Sequence, residues 1–485
     1  MNKIIIVGIL NLLILFSCQN KKQDEDKEIL VKKKPNIIFI MADDMGYGDL
    51  GCYGQEIIKT PNIDKIATEG IKFTQHYAGS TVCAPSRSSL MTGLHTGHTE
   101  IRGNKNGEPN GQWPISAESK TVAEYLKNTG YTTALIGKWG LGSENTTGEP
   151  NKKGFDYYYG YLDQVLAHNY FPEFLIRNGK KEFLNNEVKY LDSTAWHRGF
   201  GSYATKKVTY SNDLFTNDAV KYIEKNKDTT FYLYLPYTIP HDNGEALEEE
   251  WQEVPDFGIY SNKNWSKAHK GYAAQITRLD RYVGQIMKKI KDSGIDDNTI
   301  VFFTSDNGPL PVTEREYTKF FNSNGSLKGG KRDLFEGGIR IPMLARWPKK
   351  IKPNTLSNHV SAFWDFLPTA YAIAEGTEKL KNTDGISYLP TLLDKAQKEH
   401  EYLYWEFNKF GRESKQAIRK GDWKAVRNTT FENLDSTPEL YNLVTDIGEV
   451  DNLAKEYPKI VKELSLLMTE ARTESENFPL YKKKN

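Results

Sequence analysis

Three polar clusters in this chain combine residue types that hold anions and hard cations. The first is Cys83-Ala84-Pro85-Ser86-Arg87, continuing as Ser88-Ser89-Leu90-Met91-Thr92-Gly93. A thiol, an arginine and a run of small hydroxyls at the expected start of a helix suit an anion. The second is Asp43-Asp44 and the third is Ser305-Asp306-Asn307-Gly308, each directly after an apolar run. Adjacent acids at a buried strand end are costly unless a cation or hydrogen-bond donors offset them. Three carboxylates and one amide are hard oxygen donors, which suit Ca²⁺, and Mg²⁺ less well, far better than zinc.

Such clusters converge only if the elements that carry them lie side by side. Residues 36–41 and 299–304 are short, continuous apolar runs rich in β-branched side chains, the pattern of strands buried in a parallel sheet. Residues 231–235 form another such run ending near Pro240-His241, and 131–136 lead into Gly137-Lys138-Trp139. Residues 71–77 alternate as a strand. Helices are predicted from Thr60-Pro61, over 122–127 before Gly130, and as a long amphipathic segment over 271–291. Polar residues thus recur at the carboxyl ends of strands, where open α/β sheets place their ligands. From about residue 396 the pattern changes: 402–407, 416–419, 423–427 and 439–443 read as short strands and 458–473 as a helix, a small antiparallel subdomain.

With 485 residues and 38% hydrophobic content the chain can bury a large core. Its 64 basic and 63 acidic residues nearly cancel, which argues against nucleic acid as a partner and leaves charge to act locally. Residues 1–17 read as a signal peptide, with Lys3 ahead of an apolar core over 4–16, too short to span a bilayer. Residues 18–34 form a charged tether. Leu15-Phe16-Ser17-Cys18 resembles a bacterial lipobox, which implies a lipid on Cys18 and a membrane-anchored periplasmic or cell-surface protein; plain export to the periplasm or medium is the alternative. With only three cysteines, no disulfide framework is expected.

Taken in order, the motifs resemble those of the type I sulfatases of the alkaline-phosphatase-like superfamily. Cys83-Ala84-Pro85-Ser86-Arg87 matches the C-x-P-S-R signature, joined by Asp43-Asp44, Gly137-Lys138-Trp139, Pro240-His241, Ser305-Asp306-Asn307-Gly308, Gly330-Lys331 and Glu336-Gly337-Gly338. The resemblance covers roughly residues 35 to 395, and Leu440-Tyr441-Asn442-Leu443 resembles the family's C-terminal subdomain. It implies an α/β fold: a mixed, mostly parallel sheet flanked by helices in a catalytic domain over 35–395, and a smaller antiparallel sheet with a terminal helix over 396–485. It also implies hydrolysis of sulfate monoesters on a sulfated polysaccharide or oligosaccharide, and oxidation of Cys83 to formylglycine by a maturation enzyme. An aldehyde hydrate offers one hydroxyl to attack sulfur and keeps a second to expel sulfate, where serine would retain a stable ester. By the same resemblance Asp43, Asp44, Asp306, Asn307 and modified Cys83 are the Ca²⁺ ligands. Arg87 and Lys331 balance charge, Lys138 binds sulfate, and His241 protonates the leaving oxygen.

One position departs from the pattern. The family often reads Gly-Lys-Trp-His-Leu-Gly, and this chain has Gly140 where the histidine stands. His168, in the aromatic stretch Gln164-Val165-Leu166-Ala167-His168-Asn169-Tyr170, is the candidate substitute, and it could equally contact substrate or serve structure. Arg102 and Asn104 are candidate substrate contacts, and Asn104 could equally serve a turn. Tyr157-Tyr158-Tyr159 and Trp196 could stack on sugars, although core positions are the commoner role. Gly140 also motivates a second reading, a glycan-binding lipoprotein on a degenerate scaffold, and a phosphoester hydrolase is a third.

Overall fold

Strands buried on both faces are mainly apolar, with polar residues kept to their ends, and four of them form the centre of this molecule. Every residue of Asn36–Ala42, Phe231–Pro236, Thr299–Ser305 and Arg340–Arg346 is buried. The computed structural model describes residues 34–105, 112–191, 201–409, 413–430, 433 and 436–480. The leader over 1–17, Cys18 with nearly all of the tether, and Trp196 lie outside the described residues.

The large sheet has eleven strands. In spatial order they run Thr355–Ser357, Ile71–Tyr77, Arg340–Arg346, Thr299–Ser305, Asn36–Ala42, Phe231–Pro236, Thr132–Lys138, Tyr157–Tyr161, Phe174–Arg177 and Lys180–Phe183, with Ser361–Ala362 pairing beside Ile71–Tyr77. The central strands pair in parallel, while Arg340–Arg346 and the two strands after Tyr157–Tyr161 run antiparallel to their neighbours. The sheet is therefore mixed and mostly parallel. Ser211–Asn226 and Lys267–Asp292 pack against one another as covering helices. The longer is capped at its start by Ser266, whose side chain accepts from the His269 amide.

Leu403–Lys409, Glu413–Lys420, Trp423–Thr430 and Glu439–Asn442 form an antiparallel sheet in that order. Alternation along its strands divides its side chains between two cores. Tyr404, Ile418, Ala425 and Leu440 pack against Val461, Leu464 and Met468 of the helix Pro458–Glu470. Trp405, Phe407, Ala417 and Val426 face the other way and pack with Tyr77, Val82 and Trp364. The small sheet thus supports the segment immediately before Cys83. Residues 34–485 form one compact unit.

Candidate active site

Register brings the polar clusters together. Ala42 pairs with Ser305, and Met41 with Pro236, so these strands end side by side. The ladder continues for one more bond on each side: the Asp306 amide donates to the Ala42 carbonyl (3.1 Å) and the Asp43 amide to the Ile239 carbonyl (3.2 Å). Asp44 turns out of the strand at φ 63°, a left-handed conformation that aspartate adopts more readily than most residues, and its amide donates to Asp306 Oδ1 (3.1 Å). The fully buried helix Cys83–Thr92 points its first turn at these acids. Ser86 Oγ donates to the Asp306 carbonyl (2.5 Å), fastening that helix to the third cluster. Cys83 and Arg87 are four residues apart and share a face.

Three buried cations meet three buried carboxylates. Arg87 donates from Nη2 (2.8 Å) and Nε (3.2 Å) to Asp306 Oδ2, and from Nη1 to the Lys138 carbonyl (2.7 Å). Lys138 Nζ donates to Asp43 Oδ2 (2.6 Å) and lies 3.5 Å from Cys83 Sγ. Lys331 Nζ donates to Asp44 Oδ2 (2.7 Å) and sits 2.8 Å from His241 Nε2. Because an ammonium only donates, Nε2 is the accepting nitrogen of a neutral ring, and Nδ1–H donates to the Asp242 carbonyl (2.6 Å).

This packing sets the ionisation of each group. Burial pushes every acid upward, but at Asp43 the fields of Lys138, Arg87 and Lys331 win and hold it far below the usual carboxylate range. Asp44 is raised, by burial and by Asp43, against the pull of Lys331. Burial and the neighbouring Asp43 push Asp306 up to about 7 despite Arg87. Burial, then Lys331 and His168, keep His241 neutral. The Cys83 thiol is pushed up to about 12 by burial and by Asp43, so it is an inert thiol here rather than a thiolate nucleophile.

The donor set fits a hard cation. Ligand atoms of Asp43, Asp44, Cys83 and His241 all lie within 4.8 Å of one another. Asn307 Oδ1 is buried with no hydrogen-bond partner among the described residues, although its Nδ2 donates to Asp44 Oδ1 (2.7 Å) and the Gly308 carbonyl (2.9 Å). An orphaned buried amide oxygen beside acidic groups is a donor suited to a metal ion.

Cys83 opens into a cavity of about 470 Å³, within the range of small-molecule sites. His241, Lys331, His168 and Asn104 line it, together with Gln164 and Arg315, which the sequence reading did not single out. Asn104 Oδ1 also accepts from the Ala84 amide (3.3 Å), holding the first turn of the Cys83 helix. His168 stacks on His241, ring centroids 4.5 Å apart, with Nδ1 on Glu245 (3.0 Å).

Arg102 is a correction. It lies outside the cavity wall, 3% exposed, with its guanidinium bonded to Glu406 (2.9 Å), the Thr473 carbonyl (2.6 Å) and the Thr99 carbonyl (3.0 Å). These partners tie the segment after the Cys83 helix to the small sheet, and the guanidinium does not line the cavity. Tyr158 and Tyr159 are core residues on their strand, so the stacking role falls away there. At Gly140 the neighbouring space is filled by Gln164, not by His168.

Comparison with known proteins agrees with this geometry. The family model described as "Sulfatase" matches residues 35–377, and that for the C-terminal part of N-sulphoglucosamine sulphohydrolase matches 329–474. The chain is 31% identical to an N-acetylgalactosamine-6-O-sulfatase of Bacteroides thetaiotaomicron, over 95% of this chain and 97% of the relative. It is 30% identical to an arylsulfatase of Hemicentrotus pulcherrimus, over 81% and 67% of the two chains. Among solved structures, Ps i-CgsB superposes with a TM-score of 0.73 at 29% identity, covering 90% of this chain and 92% of that one; it has also been solved in complex with k-i-k-neocarrahexaose. Among the described residues, no helix is long and apolar enough to cross a membrane.

Proposed function

The chain belongs to the sulfatase family, and from that premise we propose that it removes sulfate from a galactose-type sugar of a sulfated glycan, using Ca²⁺ and a formylglycine made from Cys83. The observation that carries this reading is the meeting of Cys83 with three carboxylates and three cations at the floor of the cavity. Asp43, Asp44, Asp306 and Asn307 would hold the ion with the modified residue 83. Bound there, such an ion would supply Lewis-acid polarisation of the sulfate, and a hydrated aldehyde at residue 83 would supply the attacking hydroxyl.

The chain's own residues do the rest. Arg87 offsets Asp306 and fixes the backbone carbonyl of Lys138, so the Lys138 side chain is held over residue 83, where it can bind a sulfate oxygen. Lys331 keeps a proton at Nζ between Asp44 and His241, because burial, the largest influence and opposed to its charge, is outweighed by Asp44 acting together with Asp43 and the rest of the acidic site. The Asp242 carbonyl fixes the His241 tautomer so that Nε2 faces that proton. For His241 to act as the general acid its Nε2 must first take the proton that Lys331 holds, so the pair, rather than the imidazole alone, is the proton source for the leaving sugar oxygen. The lipobox resemblance supports export and a lipid on Cys18, and the cysteine signature supports a formylglycine-generating partner.

The test is co-expression with a formylglycine-generating enzyme, mass analysis of the Cys83 peptide, and assay of the calcium-loaded protein on position-defined sulfated galactose and N-acetylgalactosamine saccharides. Sulfate release that tracks the aldehyde content is expected. A fully matured, calcium-loaded protein that releases nothing from the panel would refute the proposal, and preference for matched phosphate esters would replace it.

A further inference from the structure

Gln164 is 4% exposed, and neither Nε2 nor Oε1 has a hydrogen-bond partner among the described residues, yet it borders the cavity into which Cys83 opens. A buried amide with both ends unsatisfied is rare in native structures and points to a ligand or water that completes it. Its position is firmly built. The pairing of Thr132–Lys138 with Tyr157–Tyr161 continues beyond both strands, with the Trp139 amide on the Tyr161 carbonyl (2.9 Å) and the Gly140 amide on the Leu162 carbonyl (3.1 Å). Asp163 Oδ1 then accepts from the Val165 (2.8 Å) and Leu166 (2.9 Å) amides and fixes the turn that carries Gln164.

Gly140 is the other half of the arrangement. It has φ 81°, and a Cβ there would collide with Gln164 Nε2 and Cδ. A side chain at position 140 and Gln164 in this position exclude one another. The glycine therefore makes room for a polar group supplied from the turn after the next strand.

We propose that Gln164 supplies the polar contacts that the missing side chain at 140 would have made. Nε2–H donates to an oxygen of the sulfate group, and Oε1 accepts from the hydroxyl at position 83. This rests on the sulfatase reading above. An amide does not titrate in the working pH range, so Gln164 binds and orients without accepting a proton. It is a positioning residue for the nucleophile and a binding residue for the anion.

The test compares matured, calcium-loaded wild type with Gln164→Met, which keeps the side-chain volume, and with Gln164→Glu, using thermal midpoints to verify folding. Inorganic sulfate is titrated into each by calorimetry, and kcat and KM are measured on an ester that the wild type hydrolyses. Losing one hydrogen bond to a charged group predicts sulfate binding about 10- to 100-fold weaker in Gln164→Met, with kcat reduced as well. Gln164→Glu should bind sulfate more weakly still, and recover affinity as pH falls and the new carboxyl protonates; a role confined to packing would give no such pH dependence. Absent or unchanged sulfate binding across the variants, or the same pH profile in both, would overturn the assignment. A wild type without turnover would instead overturn the sulfatase reading, whatever the sulfate titrations give.

Discussion

Replacing Arg87 with methionine tests whether this arginine is the support that lets Asp306 serve as a ligand. The side chain is fully buried and makes three hydrogen bonds, two to Asp306 Oδ2 and one to the Lys138 carbonyl. Removing one partner of a buried pair costs about 3–5 kcal/mol, and an orphaned carbonyl adds about 1 kcal/mol. For 485 residues the unfolding entropy is about 1 kcal/mol per kelvin, so the midpoint should fall by about 4–6 °C. The sign with pH follows from Asp306. Its carboxyl is already pushed up to about 7 with Arg87 present, and loses a stabilising partner of its charged form in the variant. Below that raised value the group is protonated and little charge is stranded; above it the carboxylate stands uncompensated. The loss should therefore grow between pH 6 and pH 8.5. Thermal unfolding by circular dichroism in chelator, at both pH values, measures it. Adding Asp306→Asn should recover most of the stability but none of the calcium affinity. A loss under 1 °C, a loss independent of pH, or no recovery in the double variant would refute the reasoning.

Calcium affinity of the wild type should fall about tenfold per pH unit below 7, because Asp306 must release its proton to bind the ion; calorimetry at pH 5.5, 6.5 and 7.5 would show this, and a flat profile would contradict it. Lys424→Met should destabilise the protein by about 3–5 kcal/mol, since Nζ lies 2.8 Å from Glu336 and 2.9 Å from Glu449 with all three side chains fully buried. Hydrogen exchange should rise first in Trp423–Thr430, while kcat at a permissive temperature stays near wild type. Arg102→Met should lower the unfolding midpoint and leave KM unchanged; a raised KM would return Arg102 to the substrate site.

What the sequence revealed, and what it hid, follows from the range of the forces involved. Runs such as residues 36–41 and 299–304 are legible because burial on both faces forbids polar residues, so composition alone reports the environment. The acids at their ends were legible for the converse reason, that charge at such a place needs a partner. The hairpin joining Phe174–Arg177 to Lys180–Phe183 was missed even though Asn178-Gly179 is a strong turn signal; both residues have positive φ, 46° and 76°. Its strands are short and the second largely exposed, so hydrophobic patterning was faint there. Arg102 misled because nearness in sequence to Cys83 says nothing about Glu406, a partner over 300 residues away.

Gly140 and Gln164 show the same limit at the level of one pocket. A motif comparison reports that a side chain is missing, but the space it leaves is a property of two strands. Only the continued pairing beyond Lys138 and Tyr161 shows which residue enters it. The charges around that space supply the reason to keep it polar. Asp43, Asp44 and Asp306 are balanced in number by Arg87, Lys138 and Lys331, so the protein's own groups are formally neutral when all six are ionised. A divalent cation then leaves two positive charges to be met inside a buried site. On the proposed function, a sulfate monoester would supply one negative charge and an ionised hydroxyl at a modified residue 83 the other, so these residues would favour substrate and activated nucleophile together over either alone. A neutral amide at Gln164 fits that balance, because it can hydrogen-bond both partners without adding a charge of its own.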